Sequence, residues 1–167
     1  LVYVLAFLIG KYPWKTNAIF SSNADLAEAR LREIRDIIES TRFKNVFPYI
    51  NVDEKRRNNI KQFTVWSSRW KNGVNDIGYD QWRSLVSRFG QPRDATLMSA
   101  GITGSGIAGR RFTGIVLLDD IHDVKNSATS EQRQKIINIV KGTIMPCMWR
   151  DANPKMVSIS TRWAEDD

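Results

Sequence analysis

An apolar run that ends in two adjacent acids, at residues 115–120, constrains the fold of this chain more than any other feature. Residues 115–118 are Ile-Val-Leu-Leu, and Asp119 and Asp120 follow directly. Such a run is typical of a strand buried on both faces of a parallel sheet. Ligands of open α/β sheets bind at the carboxyl ends of their strands, so we expect both carboxylates at a binding edge. The alternative is an ordinary strand that ends in an acidic turn.

The remaining patterns predict strands alternating with helices, which favours an α/β sheet. The predicted strands are residues 17–21, 61–66, 95–100, 115–118 and 156–160. The predicted helices are residues 1–9, 79–89 and 129–140, together with an amphipathic helix that follows a cap within residues 22–25 and ends at about residue 39. Residues 1–9 are interpreted as the last turns of a buried helix closed by Gly10, with a buried strand as the alternative.

Two helices carry specific signals. One apolar face of residues 24–39 is formed at helical spacing by Ala27, Leu31, Ile34 and Ile38. Thr129 and Gln132 have the spacing of a capping box at the start of the helix predicted for residues 129–140.

The chain is basic and has the composition of a globular protein. Its 167 residues include 25 Lys and Arg against 18 Asp and Glu, for a net charge of +7. This charge favours a polyanionic partner, with nucleic acid first. A single cysteine, Cys147, excludes an internal disulfide framework, and a single histidine, His122, excludes a zinc site built from several histidines. We expect Cys147 in the core and His122 in a surface turn.

A second polar strand end follows the acids after one helical crossover. Residues 156–160 form the last predicted strand, and Thr161 and Arg162 follow it. In a parallel sheet this end would neighbour the acids, so both residues would reach a phosphate or a water held by Asp120. The alternative is a plain strand with a polar end.

A glycine-rich stretch precedes the acidic strand. Residues 104–109 satisfy G-x-G-x-x-G, but the next strand begins at Ile115 and leaves no room for the helix of a dinucleotide site, so NAD binding is rejected. We expect these glycines to form a loop that presents Arg110 and Arg111 beside the acidic edge; the alternative is two solvated arginines. The sequence contains no G-x-x-x-x-G-K-[ST] phosphate loop.

Aromatic and basic residues are interleaved in the middle of the chain. Trp66, Trp70 and Trp82 either stack on nucleic-acid bases or form a packed aromatic core. Residues 55–57 (Lys-Arg-Arg) form either a solvated loop or a patch that faces DNA.

Taken together, the acids, the last strand and the order of elements resemble a phage terminase large subunit, an ATP-driven motor that packages viral DNA. The resemblance covers most of the chain. The similar segments are residues 18–27, 32–40, 43–48, 101–112, 115–120 and 161–167.

This resemblance implies a RecA-like P-loop NTPase sheet, α/β and mainly parallel, that lacks its N-terminal Walker A strand and loop. Residues 1–167 would be a partial ATPase domain, without the P-loop and the C-terminal nuclease domain. Residues 1–9 would belong to the helix behind the P-loop, 114–120 would be Walker B, and 160–162 would be the coupling motif. We expect a piece of a longer protein, since no initiating Met is present.

The resemblance also assigns roles. Asp119 would coordinate Mg²⁺, Asp120 would be the catalytic carboxylate, and Thr161 and Arg162 would contact ATP. An arginine, Arg110 or Arg111, would act in trans within a homo-oligomeric ring.

The implied partners are double-stranded DNA, the terminase small subunit and the portal protein, in the host cytoplasm and without a membrane. The chain departs from the family pattern at Asp120, where many relatives have Glu, at Ile121, where Pro is usual after paired aspartates, and at Ala164, where His is frequent. The alternatives are another DNA-dependent P-loop motor such as a helicase, or a non-enzymatic module that binds nucleic acid.

Overall fold

The computed structural model describes residues 1–54, 58–69, 77–88, 94–123 and 126–161. The strands are β1 (Asn17–Ser21), β2 (Ile50–Val52), β3 (Gln62–Phe63), β4 (Val65–Ser67), β5 (Leu97–Gly101), β6 (Ile115–Asp119) and β7 (Lys155–Ile159). The helices are α1 (Val2–Lys11), α2 (Ala24–Glu39), α3 (Thr41–Val46), α4 (Tyr79–Arg88) and α5 (Ser130–Ile139).

Five strands form a mixed, mostly parallel sheet in the order β3-β5-β1-β6-β7, which confirms the predicted α/β class. Strand β6 pairs in parallel with β1 on one side and with β7 on the other. Strand β3 is antiparallel to β5, while β2 and β4 form a separate antiparallel pair. The single strand predicted for residues 61–66 is therefore wrong, because this segment divides into β3 and β4, which join different sheets.

The chain divides into two compact units, the first formed by Leu1–Thr16 and Arg30–Met98. In this unit α1 buries Leu5, Ala6 and Ile9 and leaves Tyr3, Val4 and Phe7 largely exposed. The helix predicted for residues 1–9 is confirmed, but only one of its faces is buried.

Closure of α1 at Gly10 was a wrong prediction, because Gly10 lies inside the helix. The helix continues to Lys11, and the Tyr12 N–H donates to the Leu8 carbonyl. At Gly10 the absence of a side chain makes room for a ring instead: a Cβ built there would lie 2.6 Å from Cδ2 of Phe47.

An aromatic cluster forms a small core in the same unit. Trp82 is buried with Ile77 and Val86, and Trp66 packs against them. The described part of this region therefore supports the packed-core interpretation of Trp66 and Trp82. Trp70 and residues 55–57 lie outside the described residues.

The second unit comprises Asn17–Ala29 and Ser99–Asp167. The predicted capping box is confirmed: the Thr129 hydroxyl accepts from the Gln132 N–H, and the Gln132 side chain accepts from the Thr129 N–H. Cys147 is buried, as expected. A surface position for His122 was wrong, because its ring is 9% exposed and its Nδ1 lies 3.1 Å from the Ser127 hydroxyl.

The face of α2 predicted to be apolar is confirmed. Its residues Ala27, Leu31, Ile34 and Ile38 are at most 1% exposed. Among the described helices, none has the length and apolarity required to cross a membrane.

Candidate functional site

The carboxyl ends of three parallel strands bring polar residues together in the second unit. In the sheet register Ser21 of β1 lies opposite Asp119 of β6, and Asp119 lies opposite Ile159 of β7. Adjacent strands are about 4.8 Å apart, and residues in register point to the same face. The next residues along the chains, including Asp120, emerge at this edge. The predicted location of the acids at a carboxyl edge is therefore confirmed.

Asp120 joins the three strand ends. Its N–H donates to the Ile159 carbonyl at 2.8 Å, and its own carbonyl accepts from the Ser22 N–H at 3.0 Å. The Thr161 N–H donates to Oδ1 of Asp120 at 3.0 Å. Asp120 has a left-handed backbone with φ 50°, a conformation that aspartate tolerates better than most residues. The carboxylate is thus held in place, yet the residue is exposed.

Asp119 differs from Asp120 in its surroundings. It is the last residue of β6, hydrogen-bonded within the sheet on both sides, and it is partly buried. Two neighbouring carboxylates, one partly buried and one exposed, suit a magnesium ion that keeps several waters and takes further ligands from phosphate oxygens. Within the described ranges no group of three or more His, Cys, Asp or Glu side chains could hold a metal alone. The acids therefore fit Mg²⁺ only together with a phosphate ligand.

Ser21 is a residue of this edge that the sequence analysis did not select. Its side chain is fully buried, and its hydroxyl has no hydrogen-bond partner among the described residues. A buried hydroxyl without a partner costs about 1–3 kcal/mol. In the sheet register Ser21 lies opposite Asp119, so this buried hydroxyl belongs to the same edge as the acids. The available signal was a serine that directly follows the apolar residues 18–20.

Arg110 and Arg111 do not lie beside the acids, so that expectation is wrong. The bridge between Phe112 and Met148 and the register of Ile115 with Lys155 show that the segment after the arginines is at the amino end of β6. Strand β6 separates the two ends by about 13 Å. The physical reason is the direction of the connection. The end of β5 lies beside the end of β1, where the Ile102 N–H donates to the Ser21 carbonyl at 2.7 Å, so the chain must return to the opposite edge of the sheet before β6 begins.

The glycine loop makes this return possible. Gly106 and Gly109 have left-handed backbones, with φ 89° and 79°. Nε of Arg110 donates to the Gly106 carbonyl at 3.1 Å. The guanidinium of Arg111 lies 5.3 Å from the ring centroid of Trp149.

Of the two residues expected to contact ATP, Thr161 reaches the acids through its backbone, as its bond to Asp120 shows. Arg162 and Ala164 lie outside the described residues.

The fold and this edge define an α/β protein whose mostly parallel sheet carries two acids where an interior strand, β6, ends. Neither the family models nor the curated proteins that we searched contain a match to the chain.

Proposed function

We propose that this chain is part of the ATPase domain of a terminase large subunit, which hydrolyses ATP to drive double-stranded viral DNA into a capsid. The observation that carries the proposal is Asp120, which directly follows the interior strand β6 and accepts a hydrogen bond from Thr161 beyond the end of β7. Phosphoryl transfer in P-loop motors depends on acids in this position.

The two acids differ in a way that suits two roles. Asp119, partly buried at the end of a strand paired on both sides, is the residue to hold Mg²⁺ beside the β- and γ-phosphates. Asp120, exposed and fixed by its backbone, is the residue to orient the attacking water and accept its proton. When bound, Mg²⁺ neutralises the charge that develops on the transferred phosphate.

The hydrogen bond from Thr161 would couple ATP hydrolysis at the acids to movement of the chain. A change in the charge or position of the Asp120 carboxylate during hydrolysis acts directly on the Thr161 N–H. Thr161 follows β7, so a change at the Asp120 carboxylate would be transmitted to the segment of the chain after this strand. This contact is the basis for proposing residues 160–162 as the coupling motif.

The proposed reaction requires a phosphate loop, which these residues do not encode. Strand β7 is the last strand of the described sheet, on the side of Asp120. A strand that carries such a loop would add to the outer edge of β7 and bring the phosphates to the acids. We therefore expect the 167-residue chain alone to hydrolyse ATP poorly or not at all.

Arg110 or Arg111 can contact the phosphates of ATP only in trans, at the site of a neighbouring subunit. Both lie at the amino end of β6, too far to contact Asp120 of their own chain. An arginine that serves a neighbouring subunit must be distant from its own acids. The proposal therefore includes a homo-oligomeric ring, which would work with the terminase small subunit and the portal protein.

The first experiment is to sequence the DNA directly upstream of the codon for Leu1, in frame. The proposal expects a strand, a glycine-rich loop and Lys-[Ser/Thr] joined closely to Leu1. A stop codon or an unrelated sequence there would favour the alternative of a non-enzymatic module that binds nucleic acid.

The second experiment uses the longer protein encoded there. Asp120→Asn should abolish Mg²⁺-dependent ATP hydrolysis and leave ATP binding intact, because the amide keeps the hydrogen bond from Thr161 but cannot accept a proton. Asp36→Asn, a matched change at an exposed position on α2, should leave both activities unchanged. Retained turnover in Asp120→Asn would refute the role of this acid.

A further inference from the structure

A basic cleft lies in the second unit, apart from the acids. It has a volume of about 950 Å³ and is open to solvent. Its lining includes three cationic side chains, those of Arg111, Lys141 and Arg150, and one carboxylate, that of Asp151. Trp149 also lines the cleft. These five residues define the basic cleft.

The backbone that carries the basic cleft is tightly connected. The Phe112 N–H donates to the Cys147 carbonyl at 2.8 Å, and the Trp149 N–H donates back to the Phe112 carbonyl at 2.9 Å. The Cys147 thiol, which is buried, contacts the Ile107 carbonyl at 3.3 Å. The positions of Arg111 and Trp149 are therefore fixed relative to each other.

Two cations of the basic cleft, Lys141 and Arg150, are available to a ligand. Asp151 accepts a hydrogen bond from Nε1 of Trp149 at 3.2 Å, so its carboxylate is partly engaged. Within the described residues, neither Lys141 nor Arg150 forms an ion pair. Both side chains are on exposed residues. An anion that enters the cleft would meet at least two cations without displacing an ion pair.

We infer that the basic cleft binds backbone phosphates of double-stranded DNA. Cationic side chains around an open cleft favour a ligand with repeated negative charges, and a net charge of +7 attracts such a ligand from a distance. Phosphate contacts hold DNA without selecting its sequence. The inference that the basic cleft binds phosphate groups rests on these residues alone. The inference that the phosphates belong to double-stranded DNA rests on the proposed function.

The basic cleft and the acids lie at opposite ends of the same strands. Lys155, the first residue of β7, pairs with Ile115, whereas Asp119 pairs with the last residue of β7. The Lys155 N–H donates to the Gly114 carbonyl at 2.9 Å, next to the segment that carries Arg111. DNA in the basic cleft would therefore leave the acidic edge of the same chain open, and its contact with Arg111 would leave the role in trans to Arg110. Its binding requires neither ATP nor Mg²⁺.

The test measures binding of the 167-residue chain to a short fluorescein-labelled DNA duplex, by anisotropy without nucleotide, at about 50 to 200 mM NaCl. The double variant Lys141→Ala/Arg150→Ala should bind about tenfold more weakly and lower the salt slope by about 1.8, because each lost phosphate contact removes about 0.9. Lys141→Arg/Arg150→Lys keeps both charges and should retain binding and slope.

The control is Lys135→Ala, which removes one exposed charge from α5 in the same unit but outside the cleft. It should change the slope little, and all variants should keep the thermal midpoint of the native chain. Unchanged binding in the double variant, or an equal loss per charge in Lys135→Ala, would overturn the inference. The inference would also be overturned if the double variant lost binding to phosphatidylserine vesicles but kept its binding to DNA. ATP hydrolysis does not enter these measurements, so the two proposals fail separately.

Discussion

Substitution of Gly10 by alanine tests the packing of the first unit. Gly10 is buried inside α1, and a Cβ there would lie 2.6, 2.7 and 2.8 Å from three ring atoms of Phe47. Ordinary contact begins at 3.4 Å, so the ring would have to move by 3.4 − 2.6 = 0.8 Å. It cannot move freely, since its centroid lies 5.0 Å from that of Phe43 and 5.4 Å from that of Phe7.

Two opposing terms set the magnitude. Alanine in a helix interior is favoured over glycine by about 1 kcal/mol, whereas overpacking a core costs about 1–3 kcal/mol. We expect Gly10→Ala to lower the free energy of unfolding by up to about 2 kcal/mol and the thermal midpoint by up to about 8 °C. Urea denaturation followed by circular dichroism measures the first quantity, and calorimetry measures the second.

The chain offers a matched control for this prediction. Gly142 lies in the helical segment after α5, and a Cβ built there meets no atom within 4 Å. Gly142→Ala should be neutral or stabilising by up to about 1 kcal/mol. In a Phe47→Leu background the side chain beside residue 10 is smaller. Gly10→Ala should therefore lower the free energy of unfolding less in that background than it does when Phe47 is present. If Gly10→Ala and Gly142→Ala stabilise equally, the reasoning about the ring is refuted.

Two further changes test the second unit. Ser21→Ala removes a buried hydroxyl without a partner, so it should raise the free energy of unfolding in urea by about 1 kcal/mol; a loss of stability would show that the hydroxyl is satisfied. Hydrogen bonds from its own backbone N–H and from the Thr129 side chain lower the pKa of Glu131. The ionised carboxylate therefore stabilises the fold above its unfolded pKa, and this stabilisation is lost as the pH falls through the lower folded pKa. Glu131→Gln should flatten stability over that acidic window, and an unchanged pH profile would contradict this.

The elements that sequence patterns predicted well are those whose burial is set by local spacing. Strand β1 has the predicted bounds because all five of its residues are buried, and the apolar face of α2 follows from helical periodicity. The capping box at Thr129 is equally local, since both of its hydrogen bonds join residues three positions apart. The class of the sheet followed from the same patterns.

The errors concern contacts between residues that are distant in sequence or depend on a particular neighbour. The division of residues 61–66 into two strands depends on separate partners, β5 and β2, which the apolar pattern does not identify. The position of Gly10 inside α1 depends on Phe47, far along the chain. The location of Arg110 and Arg111 depends on the direction in which the connection crosses the sheet, and residue types do not encode that direction.

Strand β7 has a consequence for how this chain is handled. It is the outermost strand of the described sheet, and its last residue, Ile159, is 48% exposed. A bare strand edge with apolar side chains is a template for the extended backbone of another copy. A charged residue that discourages such pairing, Lys155, stands at only one end of the strand. Concentrated samples of the chain are therefore at risk of aggregating edge to edge, and a partner strand that pairs with β7 would protect them.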